Sequence, residues 1–318
     1  MAINWFPGHM HKTRQQLAAM MPKTDVVIEV LDARLPDSSR NPLLDELRRN
    51  VQGKGENGTP GTVPCITLLN KHDLADPVVT RAWRDAFEQQ RGVKTLTLIA
   101  TDPGAVKDLP KMIRRFAKQR VKKEQKVRVM VVGIPNAGKS TIINALRGKK
   151  VANVGDEPAV TRGRQEIDLK NGIVLTDTPG ILWPKFEDPL VGYRLAVSGA
   201  IKDTAIDYDD VAVFAARWLA AQYPDALKMR YKLDALPDEP VALLEAIGRK
   251  RGCLVGGGEV ELNRAGELLL REMRAGKLGR VSLEKPETVG VEPGEEVGQD
   301  ADAGTEEGTG GRPPSAGA

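Results

Sequence analysis

Up to Leu175 the chain alternates short apolar runs with stretches of helical period. Val26 to Leu31 (VVIEVL), Cys65 to Leu69 (CITLL), Thr95 to Ile99 (TLTLI) and Lys126 to Val132 (KVRVMVV) are the strand-like runs. A near-continuous apolar run suits a parallel strand covered on both faces. Glu166 to Leu169 and Ile173 to Leu175 flank Asn171-Gly172, which predicts a hairpin. Helices are predicted over 11–21, 41–50, 81–90 and 107–123, and another begins at Thr141. Six strands alternating with helices place residues 1–184 in the α/β class, with a mostly parallel sheet. Val51 to Pro64, rich in Gly, Asn, Thr and Pro, reads as a flexible surface loop.

From about Lys185 the strand-like runs stop. Helical spacing takes over at 211–222, 241–248 and 263–276, which predicts a small all-helical domain over 185–285. From 286 to 318 the chain is Gly, Pro, Glu and Asp without apolar period, the pattern of a disordered acidic tail.

Charge sharpens this division. The 318 residues carry a net +4, but residues 286–318 hold eight acids against Arg312 alone, so the remaining 285 carry +11. A body that basic favours a polyanionic partner such as RNA over a merely solvated surface. Lysines and arginines concentrate over 107–128, and Arg271, Arg274, Lys277 and Arg280 form a second cluster. Two distant cysteines, Cys65 and Cys253, without zinc spacing suit a reducing compartment. The start, MAINWFPGHMHK, has no apolar core of a secretory signal, and Arg217 interrupts the apolar run at Val211 to Ala221. A cytoplasmic protein without a membrane partner is expected.

The candidate chemistry centres on Gly133-Ile134-Pro135-Asn136-Ala137-Gly138-Lys139-Ser140-Thr141, a match to G-x-x-x-x-G-K-[ST] between a predicted strand and a helix start. There, exposed backbone N–H groups and the positive end of a helix meet a phosphate chain. Gly133 and Gly138 allow the wrap, and residues 136–141 line the nucleotide. Lys139 reaches the β and γ phosphates, and the Ser140 hydroxyl holds Mg²⁺. A plain glycine-rich turn is the bland alternative.

Asn70-Lys71-x-Asp73 ends a predicted strand and fits a guanine reader. A carboxylate at Asp73 accepts from N1–H and the 2-amino group, which adenine lacks, and an unpaired buried acid disfavours the wrong base. Asn70 holds the loop and the Lys71 stem covers the base. Asp177-Thr178-Pro179-Gly180 follows another strand: Asp177 would bind Mg²⁺ through water, and the Gly180 N–H would contact the γ phosphate. Thr161, in the connector between, is the candidate sensor of Mg²⁺ and γ phosphate. Ala100 lies where a base-contacting turn is expected. The base reader here precedes the phosphate loop, the reverse of the ordinary order, so the domain is circularly permuted. The segment at 177–180 then runs directly into the helical region, where loss of the γ phosphate would loosen it.

Taken together, WFPGHM, DAR after the first strand, NKHD, GIPNAGKST and DTPG, in that order, resemble the RbgA (YlqF) family of circularly permuted bacterial ribosome-assembly GTPases. The segment RGCLVGGGEVELNRAGELLLREMRAGKLGR is similar to that family's C-terminal RNA-binding domain. The resemblance spans about residues 3–285 and leaves out the 51–64 insertion and the tail. It implies GTP hydrolysis coupled to late maturation of the large (50S) subunit, with a subunit precursor and its rRNA as partners, no DNA, and a monomeric chain in the bacterial cytoplasm. Ile181 stands where related enzymes carry a water-positioning glutamine. By resemblance His9 takes that catalytic part beside Lys139, against a purely structural histidine. Asn136 matches an asparagine that holds K⁺ in glutamine-lacking relatives, against a loop-stabilising role. A second functional reading remains: an RNA-binding assembly factor that uses GTP only as an affinity switch.

Overall fold

The computed structural model describes residues 8–49, 51–54, 59–90, 92–102, 104–117, 125–148, 165–178, 180, 188–201 and 208–286; of 8–13, 165 and 208 the backbone alone is described. Trp5 to Pro7, Thr161, Pro179, Ile181 and the tail beyond 286 lie outside these residues.

Six strands form one sheet: β1 (Val26–Asp32), β2 (Cys65–Asn70), β3 (Val93–Leu98), β4 (Val127–Val132), β5 (Gln165–Asp168) and β6 (Ile173–Asp177). Their order is β3-β2-β1-β4-β6-β5, parallel except for the antiparallel β5–β6 pair. The strand that opens the chain therefore sits inside the sheet, next to the strand that feeds the phosphate loop. The chain moves outward from β1 to β2 and β3, then returns to β4 on the other side of β1. That reversal makes the β1/β4 junction a topological switch point, where open α/β sheets bind ligands at the carboxyl ends of their strands.

Side-chain alternation in the strands sorts residues to two faces. Val26, Ile28 and Val30 of β1 face α4 (Leu109–Ala117) and α5 (Lys139–Arg147) in one large core. Val27 faces the other way, with Leu17 of α1 (Gly8–Met20), Met21 just beyond it and Leu44 of α2 (Pro42–Arg48). Leu31 and Leu69 pack on Trp83 and Phe87 of α3 (Pro77–Glu88). Glu29 interrupts this second face. It is fully buried near Arg40 and Arg48, and burial pushes its carboxyl up to about 7.

The helical region comprises α6 (Pro189–Ser198), α7 (Tyr208–Gln222), α8 (Pro224–Tyr231), α9 (Pro240–Arg251) and α10 (Leu262–Arg274). Its apolar residues, among them Leu195, Trp218, Leu244 and Leu269, belong to the same buried cluster as Val26 and Ile28. Beyond α10 the chain turns back to the sheet. Val281 N–H donates to Leu74 O, and Leu283 N–H donates to Arg34 O.

Local differences from the sequence expectations have plain causes. The Val51 to Pro64 loop is anchored at its base: Val51 and Gly61 exchange two backbone hydrogen bonds, Val63 is buried, and Arg48 donates to Val63 O. Two helices escaped the sequence, α6 and α8. Helix α6 is buried nearly all round, so it shows no amphipathic period.

Candidate nucleotide-binding site

Register sets the stage. Val132 at the end of β4 pairs with Glu29, so β1 runs three residues further, to Asp32, which pairs with Asn70. At about 3.3 Å per residue, β1 and β2 stand roughly 10 Å taller than β4. The phosphate loop fills that step. Gly133 turns close against β1 with φ +153°, and a Cβ there would lie 2.3 Å from Val30 O.

Asn70 is the joint between the two sequence-distant motifs. Its side-chain N–H donates to Ala137 O of the phosphate loop at 2.7 Å, and its Oδ1 accepts from Ala100 N at 2.9 Å. Asn70, Ala100, Ala137 and Gly138 thus meet at one point, although Asn70 and Ala137 are 67 residues apart. Gly138 is in the left-handed region (φ +101°), and a Cβ on it would fall 2.2 Å from the Asn70 amide nitrogen. No other residue type fits this contact.

Lys139 and Asp177 form the charged part. Lys139 opens α5, is buried, and donates to Gly133 O at 3.1 Å and Ile134 O at 2.9 Å. An ammonium has three protons, so one donor remains for an anion. Burial lowers its pKa to about 8, with the Asp177 carboxylate acting the other way. Asp177 ends β6, pairs in register with Val131, and is wholly buried. Among the described residues neither carboxylate oxygen has a partner at hydrogen-bonding geometry, and burial raises its pKa to about 6 despite Lys139 and the Thr178 backbone. A buried carboxylate with two orphaned oxygens beside a phosphate loop suits a hard divalent cation such as Mg²⁺. The neighbouring Thr178 hydroxyl donates to Val131 O, which fixes the strand end. Gly180 lies against the phosphate loop: a Cβ there would meet Pro135 Cα and N at 2.8 Å.

On the base side, Asp73 is exposed at the mouth of the loop. Lys71 adopts φ +59° and pairs with Asp32 at 3.0 Å. Asp32 also receives Arg34 through one bidentate guanidinium edge, Nε to Oδ1 and Nη2 to Oδ2. Burial alone would raise the Asp32 pKa, but Arg34 and Lys71 hold it well below the usual carboxylate range. The DAR triplet is therefore the buried anchor of Lys71, a part that sequence reading left without a role. Asn136 (φ +59°) donates through its amide to Gly199 O at the end of α6, which ties the phosphate loop to the helical region.

The backbone of His9 lies in α1, and its side chain is outside the described residues; Thr161 is outside them altogether. Among the described residues, then, Asn70, Ala100, the 133–139 loop, Asp177 and Gly180 converge, and Lys71 joins through Asp32.

A family model described as a 50S ribosome-binding GTPase matches residues 128–225. Ribosome biogenesis GTPase A of Priestia megaterium is 46% identical over 294 residues, covering 90% of this chain and 98% of the relative. The protein of the same name from Thermotoga maritima is 31% identical over 287 residues, covering 90% and 96%. The chain belongs to the RbgA/YlqF family. Among solved structures, GDP-bound YlqF from T. maritima superposes with a TM-score of 0.56 at 27% identity, covering 86% of this chain and 99% of that one. The GNP-bound form of T. maritima YlqF gives the same TM-score at 28% identity. The permuted sheet order belongs with this membership: the phosphate loop follows the fourth strand rather than the first.

Two basic residues of the second cluster are engaged by backbone carbonyls of this chain. Arg274 donates to Ala196 O and Val197 O, and Arg280 donates to His72 O and Ala75 O. Composition registers a cation but not the carbonyls waiting for it.

Proposed function

We propose that this GTPase binds GTP at the Asn70/Lys139 junction and couples its hydrolysis to late assembly of the large ribosomal subunit, through contact with rRNA. The observation that carries the reading is the Asn70 amide. It spans Ala137 O and Ala100 N, so a base-reading loop and a phosphate loop are held as one pocket.

Within that pocket Asp73 reads the guanine edge and Asn70 fixes the loop. Lys139 sets its remaining N–H against the β and γ phosphates, where a buried ammonium offsets developing charge. Ser140, Thr161 and Asp177 would hold Mg²⁺, which when bound neutralises phosphate charge. Asn136 would serve K⁺ through Oδ1, its amide nitrogen being engaged at Gly199 O. Residues 136–141 supply backbone donors, and Gly180 senses the γ phosphate from its seat on Pro135. His9 orients the attacking water, a part suited to an imidazole near neutral pH.

The RNA-facing surface is drawn from exposed cations of α4 (Lys111, Arg115), the end of α9 (Arg249, Lys250) and α10 with its exit (Arg264, Arg271, Lys277). Such a surface gives binding that weakens steeply with salt. Single-turnover GTP hydrolysis with and without large-subunit precursors tests the coupling. Stimulation that is lost in His9→Ala supports it. Unstimulated hydrolysis, equal in wild type and His9→Ala, would favour GTP as an affinity switch alone. Co-sedimentation with subunits in GDP against a non-hydrolysable GTP analogue reads the partner directly.

A further inference from the structure

Asp73 is exposed, and a short turn carries it between β2 and α3. Its aim depends on what holds the carbonyls around it. The residues that hold them come from the far end of the chain. Arg280 donates from Nη2 to His72 O at 2.8 Å and from Nε to Ala75 O at 2.9 Å. Val281 N–H donates to Leu74 O at 2.9 Å. The Ser282 hydroxyl accepts from Asp76 N at 3.2 Å. Gly276 approaches so closely that a Cβ would lie 2.6 Å from Leu74 Cδ2.

The backbone carbonyls on both sides of Asp73 are thus fixed by a segment some 205 residues away. This segment is itself pinned. Trp218 donates to Ser282 O, and Ser282 N–H donates to the Tyr223 hydroxyl, which in turn donates to Asp76. A turn of this length has few internal bonds of its own; Leu74 N–H to Lys71 O is its closing one. A guanidinium with two donors on carbonyls three residues apart, at either end of the turn, fixes both its translation and its tilt.

We propose that the 276–282 segment is part of the guanine-reading apparatus, with Arg280 as a positioning residue that sets the Asp73 carboxylate for the N1–H and 2-amino edge. This rests on the reading of Asp73 as the base reader given above. Arg280 touches no nucleotide atom; it acts through the carbonyls of His72 and Ala75. A misaimed carboxylate loses the second of its two acceptor contacts first, so the 2-amino group of guanine is where the loss is felt.

The test uses the full chain as wild type, Arg280→Ala and Arg280→Gln, titrated with GDP, IDP and ADP in Mg²⁺ buffer. IDP lacks the 2-amino group and is otherwise the same ligand. In Arg280→Ala, GDP affinity is expected to fall about tenfold, the scale of one charge-assisted hydrogen bond. IDP affinity should fall less, so the GDP/IDP ratio shrinks. A ratio equal to wild type, whether both affinities hold or drop together, overturns the proposal. Arg280→Gln, which keeps one donor, is expected to give an intermediate ratio. It decides by the same criterion should the alanine variant prove too unstable to titrate. Wild type that binds ADP as well as GDP would instead overturn the base-reading role of Asp73, a different failure.

Discussion

Replacing Asn70 by alanine removes the joint on which the pocket is built. The side chain is 2% exposed and makes two hydrogen bonds, to Ala137 O at 2.7 Å and from Ala100 N at 2.9 Å. Truncation leaves one buried carbonyl and one buried N–H unpaired, at about 1–3 kcal/mol each. A total near 3 kcal/mol lowers the melting temperature of a chain this size by roughly 5 °C. GDP affinity should fall by at least about tenfold, because the phosphate loop and the base loop must then be ordered by the ligand itself. Gly138→Ala provides an independent perturbation of the same contact, since its methyl would sit 2.2 Å from the Asn70 amide nitrogen. If both act on one joint, the double variant loses much less than the sum of the two singles. Urea denaturation and fluorescence titration of GDP on the four proteins measure both quantities. Additive losses, or an Asn70→Ala protein with wild-type GDP affinity, would refute the argument.

Asp177→Asn separates stability from metal use: burial raises the carboxyl to about 6, so its ionised form opposes folding above that pH. The contribution is full below the unfolded value near 3.8 and lost as pH rises through 6, so the asparagine variant is expected to melt at or above wild type at pH 7.5, by about 1–2 kcal/mol. The Mg²⁺-dependent gain in GDP affinity, which in wild type grows between pH 5 and 7, should vanish in that variant. Lys139, lowered to about 8 by burial, must be an ammonium to hold phosphate. GDP affinity is therefore flat below pH 7 and falls above 8, by at most about tenfold per pH unit, with proton uptake visible by calorimetry in buffers of different ionisation heat. Glu284→Ala strips the buried Arg194 of one of its two carboxylates, Asp188 remaining, and Asp37 and Ser38 of their acceptor. Breaking a buried pair on one side costs about 3–5 kcal/mol, read as a lowered urea midpoint.

The sheet was legible because β1, β2, β4 and β6 are largely apolar runs, because the Asn171-Gly172 turn marks β5, and because each motif is a contiguous string at a strand end. The circular permutation followed from motif order, since the base reader at Asn70 precedes the phosphate loop at Gly133. What the sequence withheld is what depends on contact across the chain. Helix α6 buries Leu190, Leu195 and Val197 at positions spread around its circumference, with Arg194 buried among them, so its pattern has no polar face to mark it. Helix α8 is one short stretch with Leu227 and Tyr231 as its buried residues, too few for a period. Asp32 and Arg34 carry no chemical signal in the sequence because the cation that completes them, Lys71, lies 39 residues away. Arg274 and Arg280 looked like any surface cation because their acceptors are backbone carbonyls up to about two hundred residues distant.

The homeward turn of the last described residues also limits how the molecule can be dissected. A fragment stopping near 184 would forfeit the cap on the His72–Asp76 bend and the carboxylate seated on Ser38, and would bare Leu195's neighbours in the sheet. A fragment beginning there would lack the surface on which Val281 and Leu283 rest. Expression trials that cut between the sheet and the helices should therefore yield two sticky halves, whereas trimming after 286 should leave a well-behaved protein.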